Sequence, residues 1–353
     1  MPPTGRSRRT GPAGARPTLA PLAMLAVFTV PTIAAASTIT GDNGANNLHG
    51  TAKRDSIHAR GGNDVVAARG GDDRVLGGGG NDRVVGGTGA DDLDLGPGAD
   101  TGTGGDGDDE ILGGGGDDQV DGGPGADLVD LGPDDDQGWG GDGDDRLLAG
   151  GGDDVVDGGA GDNDMMLGPG DDTGTGGPTD DVIMGAAGID LLHGGGGNDH
   201  VSGSDGDDEV FGEDGDDELD GGDGDDVLDA GPGDDQVTGD PGDDTIYPGD
   251  GADRIFAEEG YHHVIATDDG VQDKIYCSLD GVGQAPGLLT YVGQADPLDF
   301  VRDCTVEVVQ QPRWPAASHS RARIAAAPLR PALTPSAPLP VVERPHSGAG
   351  APC

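Results

Sequence analysis

From Gly61 to Glu258 the chain can be written in nines without a single insertion: GGNDVVAAR, GGDDRVLGG, GGNDRVVGG, TGADDLDLG and onward to DGADRIFAE. The stretch holds 198 residues, or 22 units. The second position is Gly in 20 units, with Asp134 and Thr179 the exceptions. The fourth is Asp in 21, with Asn163 the exception. The sixth is aliphatic or Met in 19, from Val66, Val75 and Val84 onward. Three positions held in phase over so many units constrain the fold more than any other feature.

Each unit has a physical meaning. Two glycines from the end of the preceding unit complete the motif G-G-x-G-[DN]-D-x-U-x, where U is apolar. Consecutive glycines permit a tight turn and let main-chain carbonyls approach one point. The Asp brings a carboxylate to the same place. The x-U-x triplet is a short strand whose central side chain points inward and whose neighbours point outward. One unit cannot bury its apolar residue alone, whereas stacked copies bury a thin continuous core.

This array resembles the glycine- and aspartate-rich nonapeptide repeats of RTX proteins. The resemblance implies an all-β fold: a parallel β-roll, that is, a right-handed β-solenoid of nonapeptide repeats. It implies that two nonapeptides form one coil and that calcium lies between successive turns. Main-chain carbonyls and the Asp before x-U-x would hold it. Carried over position by position, the ligands are Asp64, Asp73, Asp82, Asp91, Asp100, Asp109, Asp118, Asp127, Asp136, Asp145 and Asp154. They continue with Asp172, Asp181, Asp190, Asp199, Asp208, Asp217, Asp226, Asp235, Asp244 and Asp253. Multiple Ca²⁺ ions are thus the expected cofactor. Asn163 offers a neutral oxygen, so its site should be weaker, and Asp134 and Thr179 leave the form of their own turns open. Prolines that begin units (Pro97, Pro124, Pro169, Pro232, Pro241) fit turns that donate no hydrogen bond there.

Charge supports a metal-held structure. The 353 residues include 73 Gly and only 3% aromatic residues, with a formal charge of −49. A conventional domain of this size needs far more large apolar side chains to offset the entropy of ordering. Residues 61–258 carry 56 Asp and Glu against 5 Arg and no Lys, a net of −51. Without metal such a chain has the composition of a disordered one. Oxygen-rich acidic sites suit Ca²⁺, and bound ions would cancel most of the self-repulsion. The same acidity argues against nucleic acid or anionic membranes as partners.

Outside the array the chain divides further. Residues 1–36 read as an export signal, with Arg6, Arg8, Arg9 and Arg16, an apolar run from Leu19 to Val30, and a small-residue cleavage site at Ala34-Ala35-Ala36. Pro21 and Pro31 bracket a segment shorter than the ~20 residues a membrane span needs, so the mature chain is expected to have no span. Residues 37–60 keep the phase with Leu48 and Ile57, but Asn46 replaces the first Asp and Lys53 a turn glycine. That pattern fits N-terminal capping turns.

The array contains a second period. Leu95 to Gly105 recurs nearly unchanged at Leu167 to Gly177, with a looser copy from Leu131 to Gly141. Each copy puts glycine at the core position: Gly102, Gly138 and Gly174. The spacing of 36 residues is an even number of units, so all three belong on one side of the roll. A duplicated block with a poor core residue explains this. The other reading is a flat ligand face bearing Thr101, Thr103, Trp139, Thr173 and Thr175.

Beyond Glu258 the pattern decays. In EGYHHVIAT only Val264 stays in phase, and His262 stands where Asp belongs. Tyr261-His262-His263 is expected to be a solvated turn, since adjacent His side chains rarely share an ion. Residues 274–277 and 299–309 read as strands, with alternation from Thr305 to Val309. They resemble the capping segment of exported nonapeptide rolls, which implies a small C-terminal cap over 259–310 closed by a Cys277–Cys304 disulfide. Residues 311–353, rich in Pro, Ala and Ser and ending at Cys353, read as a disordered tail.

Signatures of catalysis are missing from the sequence. None of the eight His is followed by Glu, as H-E-x-x-H requires, and no G-x-S-x-G is present. The abundant carboxylate pairs are already explained by the repeat. The expected function is an exported, non-catalytic calcium-binding β-roll, with cell-surface or extracellular polymers as candidate partners. The alternatives are a surface adhesion or spacer component and an accessory fragment of a secreted hydrolase or epimerase.

Overall fold

The computed structural model describes residues 37–267, 269–277, 287–292, 295 and 299–309. The leader and the tail inferred from sequence lie outside the described residues. The described chain is an all-β parallel solenoid of about 14 turns. It builds two sheets of fifteen strands each, and consecutive strands alternate between the sheets. Ser56–Gly61 belongs to one sheet, Val65–Gly70 to the other, and Arg74–Gly79 returns to the first. Pairing is in register at a spacing of 18 residues, as in Ile57 with Val75 and Val66 with Val84. Two nonapeptides therefore make one coil.

Burial alternates along each strand because successive side chains leave opposite faces of a sheet. In Asp92–Pro97 the inward residues are Leu93 and Leu95. The sixth-position residues line the interior with buried apolar side chains from Ile57 to Ile275, interrupted where Gly102, Gly138 and Gly174 stand. Each contributes on the order of 1.5–3 kcal/mol relative to exposure. The eighth position also points inward, which the one-core-residue expectation missed. It is Gly in most units, but Ala68, Leu95, Leu131, Ala149, Leu167, Ala230 and Ala257 fill it and are fully buried.

The turns need glycine for two reasons. Gly98 adopts φ +152°, and a side chain there would run into the carbonyl of Gly80 one coil below. Backbones of successive coils are simply too close for a Cβ. Asp134 keeps this turn despite its side chain, with φ +86°. Thr179 does not take a left-handed conformation, and the strand before it, Thr173–Gly177, is one residue shorter than its neighbours. Even so, Asp181 stays in its place after that turn. Pro97 ends a strand and uses its carbonyl to accept from Gly80 N–H at 3.0 Å.

At the C-terminal end the coils continue with longer connections. Lys274–Tyr276, Phe300–Arg302 and Cys304–Val309 are strands, as expected. An additional strand, Gly287–Val292, pairs between His263–Ala266 and Cys304–Val309. Cys277 and Cys304 form a disulfide with Cα atoms 5.1 Å apart. Tyr261 is exposed, but His262 is completely buried. The expected solvated turn is therefore wrong at His262: the imidazole occupies the interior position that Asp holds in the array.

Candidate metal centre

The fourth-position aspartates stack into two columns, one along each row of turns. Every one of the 21 predicted ligands is almost fully buried. Their two carboxylate oxygens have separate roles. Oδ1 accepts a hydrogen bond from the backbone N–H of the equivalent residue one coil earlier: Asp154 N–H donates to Asp172 Oδ1 at 2.8 Å, and Asp172 N–H to Asp190 Oδ1 at 2.8 Å. This ladder staples successive coils.

Oδ2 is different. In 20 of the 21 aspartates it is buried with no polar partner among the described residues, and in Asp244 it faces only His262 Nδ1, at 2.9 Å. A buried, unpartnered carboxylate oxygen is costly, and repetition at every coil rules out an isolated defect. Carbonyl oxygens crowd the same point. A methyl group placed on Gly122 would lie 2.6 Å from Asp127 Oδ2 and 2.6 Å from the carbonyl oxygen of Gly140. Gly176 has the same relation to Asp181 Oδ2 and Gly194 O, at 2.5 and 2.6 Å. The eighth-position glycine thus clears a small space lined by one carboxylate oxygen and main-chain oxygens.

A parallel ladder runs just outside this one. The third-position side chain accepts from the coil that follows, as in Ile189 N–H to Asp171 Oδ1 at 2.9 Å and Asp225 N–H to Asp207 Oδ1 at 2.9 Å. A groove of about 440 Å³ lies along these turns, lined by Asn198, Asp199, Asp216, Asp217, Asp234 and Asp235 among others.

Electrostatics gives the same picture. Burial, reinforced by the carboxylates of neighbouring coils, raises the carboxyls of Asp91, Asp136 and Asp226 to about 7 and Asp253 to about 8. The stapling N–H groups oppose the rise without cancelling it. Without a counter-ion the columns resist ionisation.

These features fit a hard divalent cation. Oxygen donors, an uncompensated negative charge and, in most units, a space that an eighth-position glycine keeps clear of a Cβ suit Ca²⁺. Among the described residues no three His, Cys, Asp or Glu side chains converge on one point. A metal here would take most of its oxygens from the main chain, as consecutive glycines allow. The repeat model for the RTX calcium-binding nonapeptide matches seven stretches, from residues 40–75 through 229–261. The chain belongs to the RTX calcium-binding nonapeptide repeat family. No curated protein matches it.

Several residues extend the RTX columns beyond what the nine-residue spacing reveals. Asp55 precedes the array, and its Oδ1 accepts from Ser37 N–H at 3.1 Å. Asp273 and Asp299 follow it, accepting from Asp253 N–H and Asp273 N–H, both at 3.0 Å. The separations of 20 and 26 residues hide them from a nine-residue frame. Asp55 could have been found, because AKRDSIHAR keeps the phase. His262 Nδ1 lies 2.9 Å from Asp244 Oδ2, so Asp244 alone among the 21 faces an ionisable nitrogen there.

The glycines of the second period lie on one side of the roll, as their spacing implies. Gly102, Gly138 and Gly174 align in a single sheet, with Thr103, Asp121, Trp139, Asp157 and Thr175 in register beside them. These are outward positions, yet Trp139 is only 3% exposed.

Proposed function

We propose that the protein is an exported, non-catalytic calcium-binding β-roll that completes its folding as it loads ions between its turns. The supporting observation is the unpartnered Oδ2 of the fourth-position aspartates, repeated through both columns. With metal bound, Asp64 through Asp253 and the eighth-position carbonyls supply oxygen ligands, and the ion supplies the positive charge that the columns lack. The chain's own residues do the rest: Oδ1 holds the coils together, glycine opens the space, and the sixth-position side chains form the core.

Export fits this role, because outside the cell calcium is abundant and a Cys277–Cys304 disulfide persists. We assign 1–36 to the leader, 37–60 to the first capping turns, 61–258 to the roll, 259–310 to the C-terminal cap and 311–353 to the tail. Among the described residues no helix is long and apolar enough to cross a membrane. A cell-surface or extracellular polymer is the partner class we favour, since the acidity disfavours nucleic acid.

The test is a calcium titration of the mature full-length protein followed by circular dichroism. In excess chelator the chain should be largely unfolded, and it should gain β signal cooperatively with Ca²⁺, because binding at many sites is linked to folding. A native-like spectrum in chelator would overturn the proposal.

A further inference from the structure

We infer that only the inter-coil positions with an unpartnered Oδ2 take an ion, and that this chain closes both columns at their ends and interrupts one of them at Asn163. This rests on the calcium-binding reading above and adds which positions stay empty.

The ends show a common device. At Asp55 the second oxygen accepts from Thr51 N–H at 2.5 Å. At the far end of the same column Asp299 Oδ2 accepts from the Tyr291 hydroxyl at 2.5 Å. In the other column Asn46 opens the series, and its Oδ1 accepts from Asp42 N–H at 2.7 Å while its amide donates back to Asp42 Oδ1 at 3.2 Å. His262 closes that column on Asp244 Oδ2. At all four ends a protein group occupies the place that would otherwise hold an ion.

Asn163 does this in the interior. Its Oδ1 performs the stapling task, accepting from Asp145 N–H at 3.0 Å. Its Nδ2 donates to Gly161 O at 2.8 Å. Both bonds fix the amide orientation, since a flip would set oxygen against oxygen and nitrogen against a donor. Nδ2 therefore stands where its neighbours present Oδ2: a methyl group on Gly158 would lie 2.6 Å from it. An amide N–H₂ directed into the space repels a cation and offers it no lone pair. The expectation of a weak site at Asn163 becomes an empty one. The interruption falls midway, with Asp73, Asp91, Asp109, Asp127 and Asp145 before it and Asp181, Asp199, Asp217, Asp235 and Asp253 after it. The opposite column runs unbroken from Asp64 to Asp226.

The experiment counts bound calcium per chain by native mass spectrometry, using the full mature protein at saturating Ca²⁺. Asn163→Asp should add one ion, His262→Asp at least one, and the double variant at least two. Asn163→Ala should leave the count unchanged and His262→Ala, by freeing Asp244 Oδ2, should raise it by one, which keeps the test decisive if an added carboxylate impairs folding. Asp172→Asn should remove one ion and serves as the positive control. If the wild type binds calcium but Asn163→Ala or His262→Ala lowers the count, those positions hold ions and the inference is overturned. Unchanged counts in both Asp variants, once folded, overturn it too. A wild type that binds no calcium instead refutes the calcium-binding reading itself.

Discussion

Leu167 fills the space that Gly174 leaves. A methyl group on Gly174 would lie 2.9 Å from Leu167 Cδ1, and Leu95 and Leu131 stand in the same relation to Gly102 and Gly138. The second period of the sequence is thus a swap of core positions: the bulk missing at the sixth position is supplied by a leucine at the preceding eighth. From sequence alone Gly174→Val should stabilise, by filling an apparent gap; the structure reverses that expectation.

Gly174→Val alone should now destabilise, by about 1–3 kcal/mol from overpacking. Leu167→Ala alone should cost about 2–5 kcal/mol by opening a cavity. Together they should cost much less than the sum, because valine enters the volume leucine leaves. Thermal melts at fixed saturating calcium measure all three. Additive losses would show that the two side chains do not share one space.

This pair also shows where sequence reading stops. The strand, the turn and the stacked aspartate column follow from residue types in phase, so the alignment of Asp64 to Asp253 is legible without coordinates. The packing between the sixth and eighth positions is not, because both point inward only once the strands lengthen past x-U-x. Asp273 and Asp299 are hidden by connections of irregular length. His262 is misjudged because histidine in a decaying repeat suggests solvent, whereas the register carries it into the column.

The two oxygens of one aspartate should be separable. Asp172→Asn keeps an acceptor for Asp154 N–H and removes the charge, so it should lose one ion while the apo-state contacts survive. Asp172→Ala loses the ion and also strands the buried N–H, adding about 1–3 kcal/mol of destabilisation. Isothermal calorimetry gives the stoichiometry and calcium-dependent melting gives the stability. Equal stability of the two variants would mean that the staple contributes nothing.

Magnesium should replace calcium poorly. The spaces bring a carboxylate oxygen together with a main-chain oxygen of the next coil, as with Asp127 Oδ2 and Gly140 O, and leave room for the variable, larger shells that Ca²⁺ accepts; Mg²⁺ demands a tight octahedron and sheds water reluctantly. At equal concentrations Mg²⁺ should restore only a small part of the β signal. Full restoration by Mg²⁺ would show that charge neutralisation alone drives folding.

The disulfide should matter most when calcium is scarce. Cys277 and Cys304 are 27 residues apart, and closing such a loop stabilises by roughly 3 kcal/mol. Replacing both by Ser should raise the calcium concentration needed for half-maximal folding, and saturating calcium should offset much of the loss through linkage. If the midpoint does not move, the cap folds independently of the roll.

Acid should act as a partial substitute for the metal. Burial first, and neighbouring carboxylates after it, raise the fourth-position carboxyls from 3.8 to about 6 in Asp73 and Asp172 and about 7 in Asp109, Asp145 and Asp235. Between those values the folded chain binds more protons than the unfolded one. Apo-state stability is therefore greatest below about pH 4 and is lost as pH rises through 6 and 7, where the carboxyls ionise in the fold. In excess chelator, lowering the pH from 8 to 4 should raise the β signal, because protonation removes the charge that calcium otherwise neutralises. In calcium the trend should oppose this, with affinity falling in the same window as protons compete for Oδ2. Circular dichroism across pH, with and without calcium, separates the two arms. A chain that in chelator gains no structure on acidification would show that the carboxylate columns are not what holds the metal-free state open.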